Sequence, residues 1–455
     1  MPITGSSSGK PLTIFCAAAA TYLAASMGGA VSLVLPAIAA ELALNSAQAQ
    51  WILAGYILAR VGLLRPAGSL SDRLSPRTTF LLGMLFFAVT SLGCAMVTDD
   101  ALLIGLRVLQ GAAAAFLSPS TLVLLRDSMP ADKQAQAMTI WSFAGIAGFS
   151  LAPAFGGLLV LAWGWPAVFY FCGTASALIG AVYLAGGKRM PVSAAARPPH
   201  PPILRDFAVS AVLVALAFLI GKDDLKATVY FLVAILLLSL ETGHGILSSA
   251  SIWKDNFARV APMLAGLSGF ASIAGVLLWA AYFIQSDLQR GAFAYGMACI
   301  PLAITGALSC LLANRYIAAK RLEVVLFCGG LSATFAAVFA FLAETHFSFA
   351  CAVASLAAVG LCYGFISGAV SAALLDTFPA EQSGDGAAMA SLSKQFGQLI
   401  GVALVSSWRD MSGRTAGSNE WLFFLLGGCG AALLIAAALF ALGSNRPGRA
   451  GGSSQ

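Results

Sequence analysis

Charge is what this chain has least of. Only 10% of its 455 residues are Asp, Glu, Lys or Arg, against about 25% in soluble domains, which excludes a soluble globular class. Histidine occurs three times, at positions 200, 244 and 346, in connecting segments or at their edges. No nucleophile has a partnered histidine, no ligand spacing suits a metal and no glycine-rich loop suits a phosphate. The reading is therefore not an enzyme, with neither cofactor nor metal. The nine cysteines lie in apolar sequence without a C-x-x-C pair and read as small buried hydrophobes, not as a disulfide framework. Carboxylates are missing from the middle of every apolar run; Glu241 and Asp376 come nearest, at run ends.

What is there instead is apolar sequence. Hydrophobic residues make up 59% of the chain and the mean hydropathy is +0.87, the composition of an integral membrane protein. Fourteen apolar segments are predicted, at about 13–40, 50–70, 78–97, 101–125, 136–161, 165–186, 207–221, 226–243, 260–285, 292–313, 323–343, 347–372, 387–408 and 420–442. A bilayer core of ~30 Å needs about twenty helical residues, so the seventh and eighth are the shortest candidates. Of the 25 basic residues, sixteen fall in loops on the side of the N-terminus, five on the other side and four inside spans. That bias places both termini in the cytoplasm, and it explains the net charge of +6 without nucleic acid.

The organisation follows. Residues 1–12 form a cytoplasmic tail, 13–186 a six-helix bundle and 187–206 a basic, Pro-rich cytoplasmic linker. Residues 207–244 supply two inserted spans, 258–442 a second six-helix bundle and 443–455 a second tail. Two bundles joined by a flexible segment is the pattern of transporters built from repeats.

Four cations fall within spans: Arg60, Arg65, Arg107 and Lys394. At ~1.5 Å per residue Arg60 lies roughly 13 Å beyond Trp51, near the mid-plane. A charge there costs about 2.5–3.5 kcal/mol on insertion scales, so it is expected to face protein or a water-filled cavity. Tyr56 stands one turn before Arg60 on the same stripe, and Gln110 one turn after Arg107. Lys394, with Gln395 beside it, is read as facing a cavity from the second bundle; Arg65 is near enough to the cytoplasmic face to snorkel.

Three stretches carry a family resemblance. Residues 68–77, from Gly68 through Asp72 and Arg73 to Arg77, read as a polar turn and resemble G-x-L-x-D-R-x-G-R, the cytoplasmic loop signature of the major facilitator superfamily. Arg107-Val-Leu-Gln110-Gly111 is similar to its fourth-span signature R-x-x-Q-G. The run with Gly148, Pro153, Gly156 and Gly157 resembles the fifth-span antiporter signature. Leu35-Pro36 closing span 1, Lys394-Gln395-Phe396-Gly397 and the span count resemble the fourteen-span drug:proton antiporter branch. Met27 and Gly29 stand where that branch usually has an acid and a threonine, and Ser75-Pro76 replaces the second glycine and a basic residue of the loop signature.

The resemblance implies an all-α major facilitator fold of fourteen spans with a central cavity between the bundles. It implies a secondary transporter of the inner membrane, coupled to protons and exporting small organic compounds, with multidrug resistance as the associated phenotype. The substrate set is Arg60, Tyr56, Arg107, Gln110, Lys394 and Gln395; Gly68, Asp72, Arg73 and Arg77 form a conformational latch, and Gly148, Pro153, Gly156 and Gly157 the antiporter seam. With a cationic interior, an anionic or carboxylate-bearing substrate is favoured. Two other readings stay open: a dedicated carrier of one anionic metabolite or siderophore-like compound, and a non-transporting receptor or scaffold. Substrate identity and oligomeric state are not set by the sequence.

Overall fold

In lipid a backbone N–H or C=O cannot turn to water, so an apolar run of this length must satisfy its own hydrogen bonds as a helix. The computed structural model describes residues 9–130, 134–186, 257–376, 383–412 and 420–444, and all its regular elements are helical. The linker at 187–206 and the two inserted spans lie outside the described residues, so the described helices correspond to twelve of the fourteen expected segments.

The helices are α1 (Gly9–Glu41), α2 (Ser46–Leu74), α3 (Pro76–Met96), α4 (Asp100–Ser128), α5 (Gln134–Trp163) and α6 (Pro166–Gly186). After the undescribed stretch come α7 (Phe257–Tyr282), a π-helical turn (Phe283–Asp287), α8 (Gly291–Ala298) and α9 (Ile300–Ala318). The chain continues through α10 (Leu322–His346), α11 (Phe349–Asp376), α12 (Ser383–Ser412) and α13 (Glu420–Ser444). Among the described residues, nine helices are long and apolar enough to cross a membrane by length and composition. The helices carrying Arg60 and Lys394, α2 and α12, are not among the nine, and α13 contributes a shorter apolar stretch, Leu426–Ala438.

Two expectations about local structure change. Leu35-Pro36 does not close span 1: Pro36 sits inside α1, which runs on to Glu41 and ends where Ala43 takes a positive φ of 49°. A proline costs one N–H bond and kinks a helix, yet this helix continues beyond it. The stretch 68–77 is not a polar turn: α2 stays helical through Leu74, and only Ser75 breaks the chain. Ser75 caps α3 by accepting from the Thr78 N–H at 3.2 Å, and Pro76 follows at the first helical position, where a missing N–H costs nothing.

Among the described residues the chain divides into two compact units. One gathers 9–186 together with Ala281–Ala303; the other gathers 257–280 and 304–444. In the first, α2 packs on α4, α1 on α5, α3 on α4 and α6, and α8 on α5. In the second, α10 packs on α11 and α13, and α11 on α12.

Candidate functional site

Arg107 is held from its own backbone outward. Asp99 caps α4 by accepting from the Leu102 N–H at 2.8 Å, and two turns on Arg107 enters the α2 seam with no exposure at all. Its Nε donates to the Ile52 carbonyl at 2.9 Å and one Nη donates to Gln110 Oε1. Gln110 passes the chain on, Nε2 donating to Ser91 Oγ at 2.6 Å, and Ser91 donates to the Phe87 carbonyl at 2.6 Å. The guanidinium lies 4.4 Å from the Tyr56 ring centre, and the Tyr56 hydroxyl donates to the Ala24 carbonyl at 2.6 Å. One network thus ties α1, α2, α4 and α3 together, and every recorded partner of the cation is neutral. Its second Nη is enclosed without a hydrogen-bond partner.

Arg60 is placed differently. It is half-buried, one Nη donates to Ser118 Oγ at 3.3 Å, and its Nε is enclosed without a partner. Ser118 lies eleven residues beyond Arg107 on α4, about 16 Å along the axis, so the two arginines meet α4 at separate levels. The sequence brought Tyr56 and Arg60 together as one wall; the structure gives the Tyr56 face to Arg107.

In the second unit the cation is Lys394 on α12. Its Nζ donates to the Ser367 carbonyl at 2.6 Å and to Ser371 Oγ at 2.7 Å, both on α11, and lies 6.0 Å from the Phe270 ring centre on α7. Gln395, the next residue round the helix, is buried with its Oε1 unpartnered. Ser118, Ser367 and Ser371 were missed from sequence. The one-turn spacing of Ser367 and Ser371 was the available signal, since it puts two oxygens on one stripe.

Of the latch residues, Arg77 donates to the Leu184 carbonyl at 3.3 Å and stands 5.7 Å from the Tyr183 ring centre. It thereby neutralises the carbonyl-rich C-terminal end of α6. Gly68, Asp72 and Arg73, like Arg65, have described backbone only. The antiporter-motif glycines lie on two faces of α5. A methyl at Gly148 would overlap the Tyr22 carbonyl of α1, and one at Gly156 would meet the Leu33 side chain. Gly157 instead faces α8, where a methyl would lie 3.2 Å from the Ala292 carbonyl, and Gly296 of α8 would collide with the Pro153 carbonyl in return. Gln285, in the π-helical turn, donates to the Leu33 carbonyl at 2.9 Å. Among the described residues no group of His, Cys, Asp and Glu could hold a metal ion.

The family profile of the Major Facilitator Superfamily matches residues 14–402. The methylenomycin A resistance protein of Streptomyces coelicolor is 28% identical over 416 residues, 86% of this chain and 85% of that one. The multidrug efflux pump LfrA of Mycolicibacterium smegmatis is 28% identical over 386 residues, 82% of this chain and 75% of the pump. The tetracenomycin C resistance and export protein of Streptomyces glaucescens is 40% identical over 193 residues, which is 41% of this chain and 36% of that protein. Among solved structures, a peptide transporter crystallised with sulfate superposes with a TM-score of 0.69 at 18% identity, covering 97% of this chain and 95% of that one. At that identity the likeness speaks for the fold alone.

Proposed function

The chain belongs to the major facilitator superfamily, and from that premise we propose that it exports small organic compounds, preferentially anionic or carboxylate-bearing ones, across the inner membrane. Membership makes it a multi-pass membrane transporter and not an enzyme. Export is the direction favoured by its relatives, which are named for drug resistance and efflux. The energy source is the proton-motive force, as the resemblance to the drug:proton antiporters implies.

The observation that carries the substrate preference is Arg60, half-buried, with an enclosed Nε that has no protein partner. A guanidinium with a donor left over offers a carboxylate the paired, planar contact a lysine cannot reproduce. We assign direct substrate contact to Arg60 and Lys394, with Gln395 beside the lysine. Tyr56, Arg107 and Gln110 form the frame that holds α2, and with it Arg60, against α4. In this reading the chain comprises two six-helix bundles with two inserted spans and both termini in the cytoplasm, and it cycles by alternating access. Asp72, with Gly68, Arg73 and Arg77, serves as the cytoplasmic latch, and Asp72→Asn should slow transport at normal protein levels.

The test is transport by Arg60→Ala and Arg60→Lys in membrane vesicles, with hippurate as a carboxylate probe and tetraphenylphosphonium as a cation. Hippurate transport should fall in both variants, more in Arg60→Ala, with folded yield unchanged. Full-rate cation transport by a stable Arg60→Ala protein would defeat the anionic reading. A scaffold or receptor role would show no probe-dependent movement in any variant.

A further inference from the structure

The indole of Trp141, in α5, is turned the wrong way for a membrane-surface anchor. An anchoring indole keeps its ring at the acyl boundary and its N–H toward headgroups and water. Here Nε1 turns inward and donates to Thr121 Oγ1 of α4 at 3.2 Å, and Thr121 is 1% exposed. Trp141 as a whole is only half-buried. With its one polar group engaged inside the bundle, the part left open is hydrocarbon.

Arg60 meets the same stretch of α4. Ser118 stands three residues before Thr121, one turn away on the same side of the helix, so their Cβ atoms are about 5–6 Å apart. Each hydroxyl gives its hydrogen to a carbonyl of its own helix, Ser118 to Ala114 at 3.2 Å and Thr121 to Ser118 at 3.2 Å. A hydroxyl whose hydrogen is engaged can only accept. Ser118 accordingly accepts from Arg60 at 3.3 Å, and Thr121 from Trp141. The two hydroxyls thus fix a cation and an aromatic ring side by side within the first unit. The guanidinium still has donors to give: Nε is enclosed without a partner, and the second Nη is neither enclosed nor bonded among the described residues. The rings beside the other interior cations offer no comparable face. Tyr56, against Arg107, is 2% exposed, and Phe270, near Lys394, is 3% exposed.

We propose that Trp141 is a specificity-determining residue and that the substrate at Arg60 is an aryl acid, its carboxylate on the guanidinium and its ring against the Trp141 indole. This rests on the anion-export reading above and narrows it to anions with a flat aromatic ring close to the acid group. The two side chains divide the recognition. The charge-assisted bond to Arg60 is indifferent to what the carboxylate is attached to. Burial of hydrocarbon against the indole favours saturated and aromatic rings alike. The π face adds a preference for an offset or edge-on aromatic ring beyond the area it covers, so the choice of aryl over alkyl acids falls to Trp141.

The experiment measures equilibrium binding to the purified full-length protein of radiolabelled hippurate and of hexahydrohippurate, in which cyclohexane replaces the benzene ring and the amide and carboxylate are unchanged. The native protein should bind hippurate about two- to tenfold more tightly than its saturated counterpart, the range of one aromatic pair. Trp141→Leu should bring the two affinities together by weakening hippurate, and Trp141→Phe, which restores a ring, should bring the preference back. Arg60→Ala should weaken both probes alike. Equal binding of the two probes by the native protein would overturn the inference, and that measurement needs no variant to fold. So would a Trp141→Leu protein that keeps the native preference, or one that loses both probes by the same factor, as a mere strap between α4 and α5 would; each of these results leaves anion export standing. If neither probe binds the native protein, or Arg60→Ala binds both as the native protein does, the anion-export reading itself fails and this inference falls with it.

Discussion

The two units repeat one packing device and fill it differently. In the first, a methyl on Gly111 of α4 would overlap the Tyr56 carbonyl of α2; in the second, a methyl on Gly364 of α11 would overlap the Gly306 carbonyl of α9. Small residues let two backbones close up where lipid offers no hydrophobic drive for association. The α2–α4 seam also encloses a guanidinium. At the α9–α11 seam hydroxyls supply hydrogen bonds, Thr305 donating to the Ala357 carbonyl at 2.8 Å and Ser309 to the Gly306 carbonyl at 3.1 Å. The second unit carries its cation elsewhere, on α12 against α11, where it is half-buried. Close approach is thus common to both units, whereas burial of charge is particular to each. Arg107 is sealed within a helix pair, whereas Arg60 and Lys394 are left partly open.

The largest effects should come from the shared device. Gly111→Leu and Gly364→Leu each drive a side chain into backbone that cannot give way, and overpacking costs about 1–3 kcal/mol or more. Both should sharply lower the thermal midpoint and yield of purified protein. Gly105→Ala, with nothing within 4 Å of its added methyl, should be neutral or gain about 0.5–1 kcal/mol. A large loss at Gly111 with none at Gly364 would break the parallel between the units.

Next comes the sealed cation. Arg107→Met leaves Gln110 Oε1 buried without its donor, and such an orphan costs about 1–3 kcal/mol. Arg107→Met combined with Gln110→Leu removes both partners and should recover most of the lost thermal midpoint. If the double variant is as unstable as the single one, the network is not what holds this seam.

Lys394→Met should show the opposite pattern. Ser371 already donates to the Ser367 carbonyl at 3.2 Å, so it stays satisfied when the ammonium leaves. The melting temperature should therefore hold, while affinity for hippurate falls at least tenfold, the equivalent of about 1.4 kcal/mol for a charged hydrogen bond. A variant that melts early and binds normally would move Lys394 into the structural class with Arg107.

The sequence was informative where physics acts along one helix. The positions of the described helices followed from the hydropathy and length of apolar runs, and the family from motifs at fixed spacing. Its local misreadings came from treating polarity as a helix breaker: the polar residues of 68–74 do not stop α2, and Pro36 does not stop α1. The cations themselves were legible, because any charge in an apolar run stands out. Their status was not. Arg60 and Arg107 look alike in sequence, and only the partner helix shows that Ile52, Tyr56 and Gln110 enclose one while Ser118 hydrogen-bonds the other. That distinction depends on how α2 and α4 are rotated against each other, which periodicity leaves open.

The smallest effect, and the finest test of the comparison, is at Ser371. A lysine ammonium has three donors; here one meets Ser367 and one meets Ser371, which leaves one for a ligand. A flexible four-carbon stem carries about 2 kcal/mol of rotamer entropy, so on the anion-export proposal the two serine contacts act mainly by holding the ammonium in place for the anion. Ser371→Ala removes one contact and should weaken hippurate binding about two- to threefold, within the range of a single net hydrogen bond. Ser371→Thr keeps the hydroxyl and should restore affinity. Thermal stability should not move in either variant, since the Ser367 carbonyl still accepts from the ammonium. The alternative has the opposite sign: if Ser371 competes with the anion for the ammonium, the alanine variant binds hippurate more tightly than the native protein. Equilibrium binding of radiolabelled hippurate to the three proteins, read beside their melting curves, decides between a serine that positions the lysine and one that occupies it.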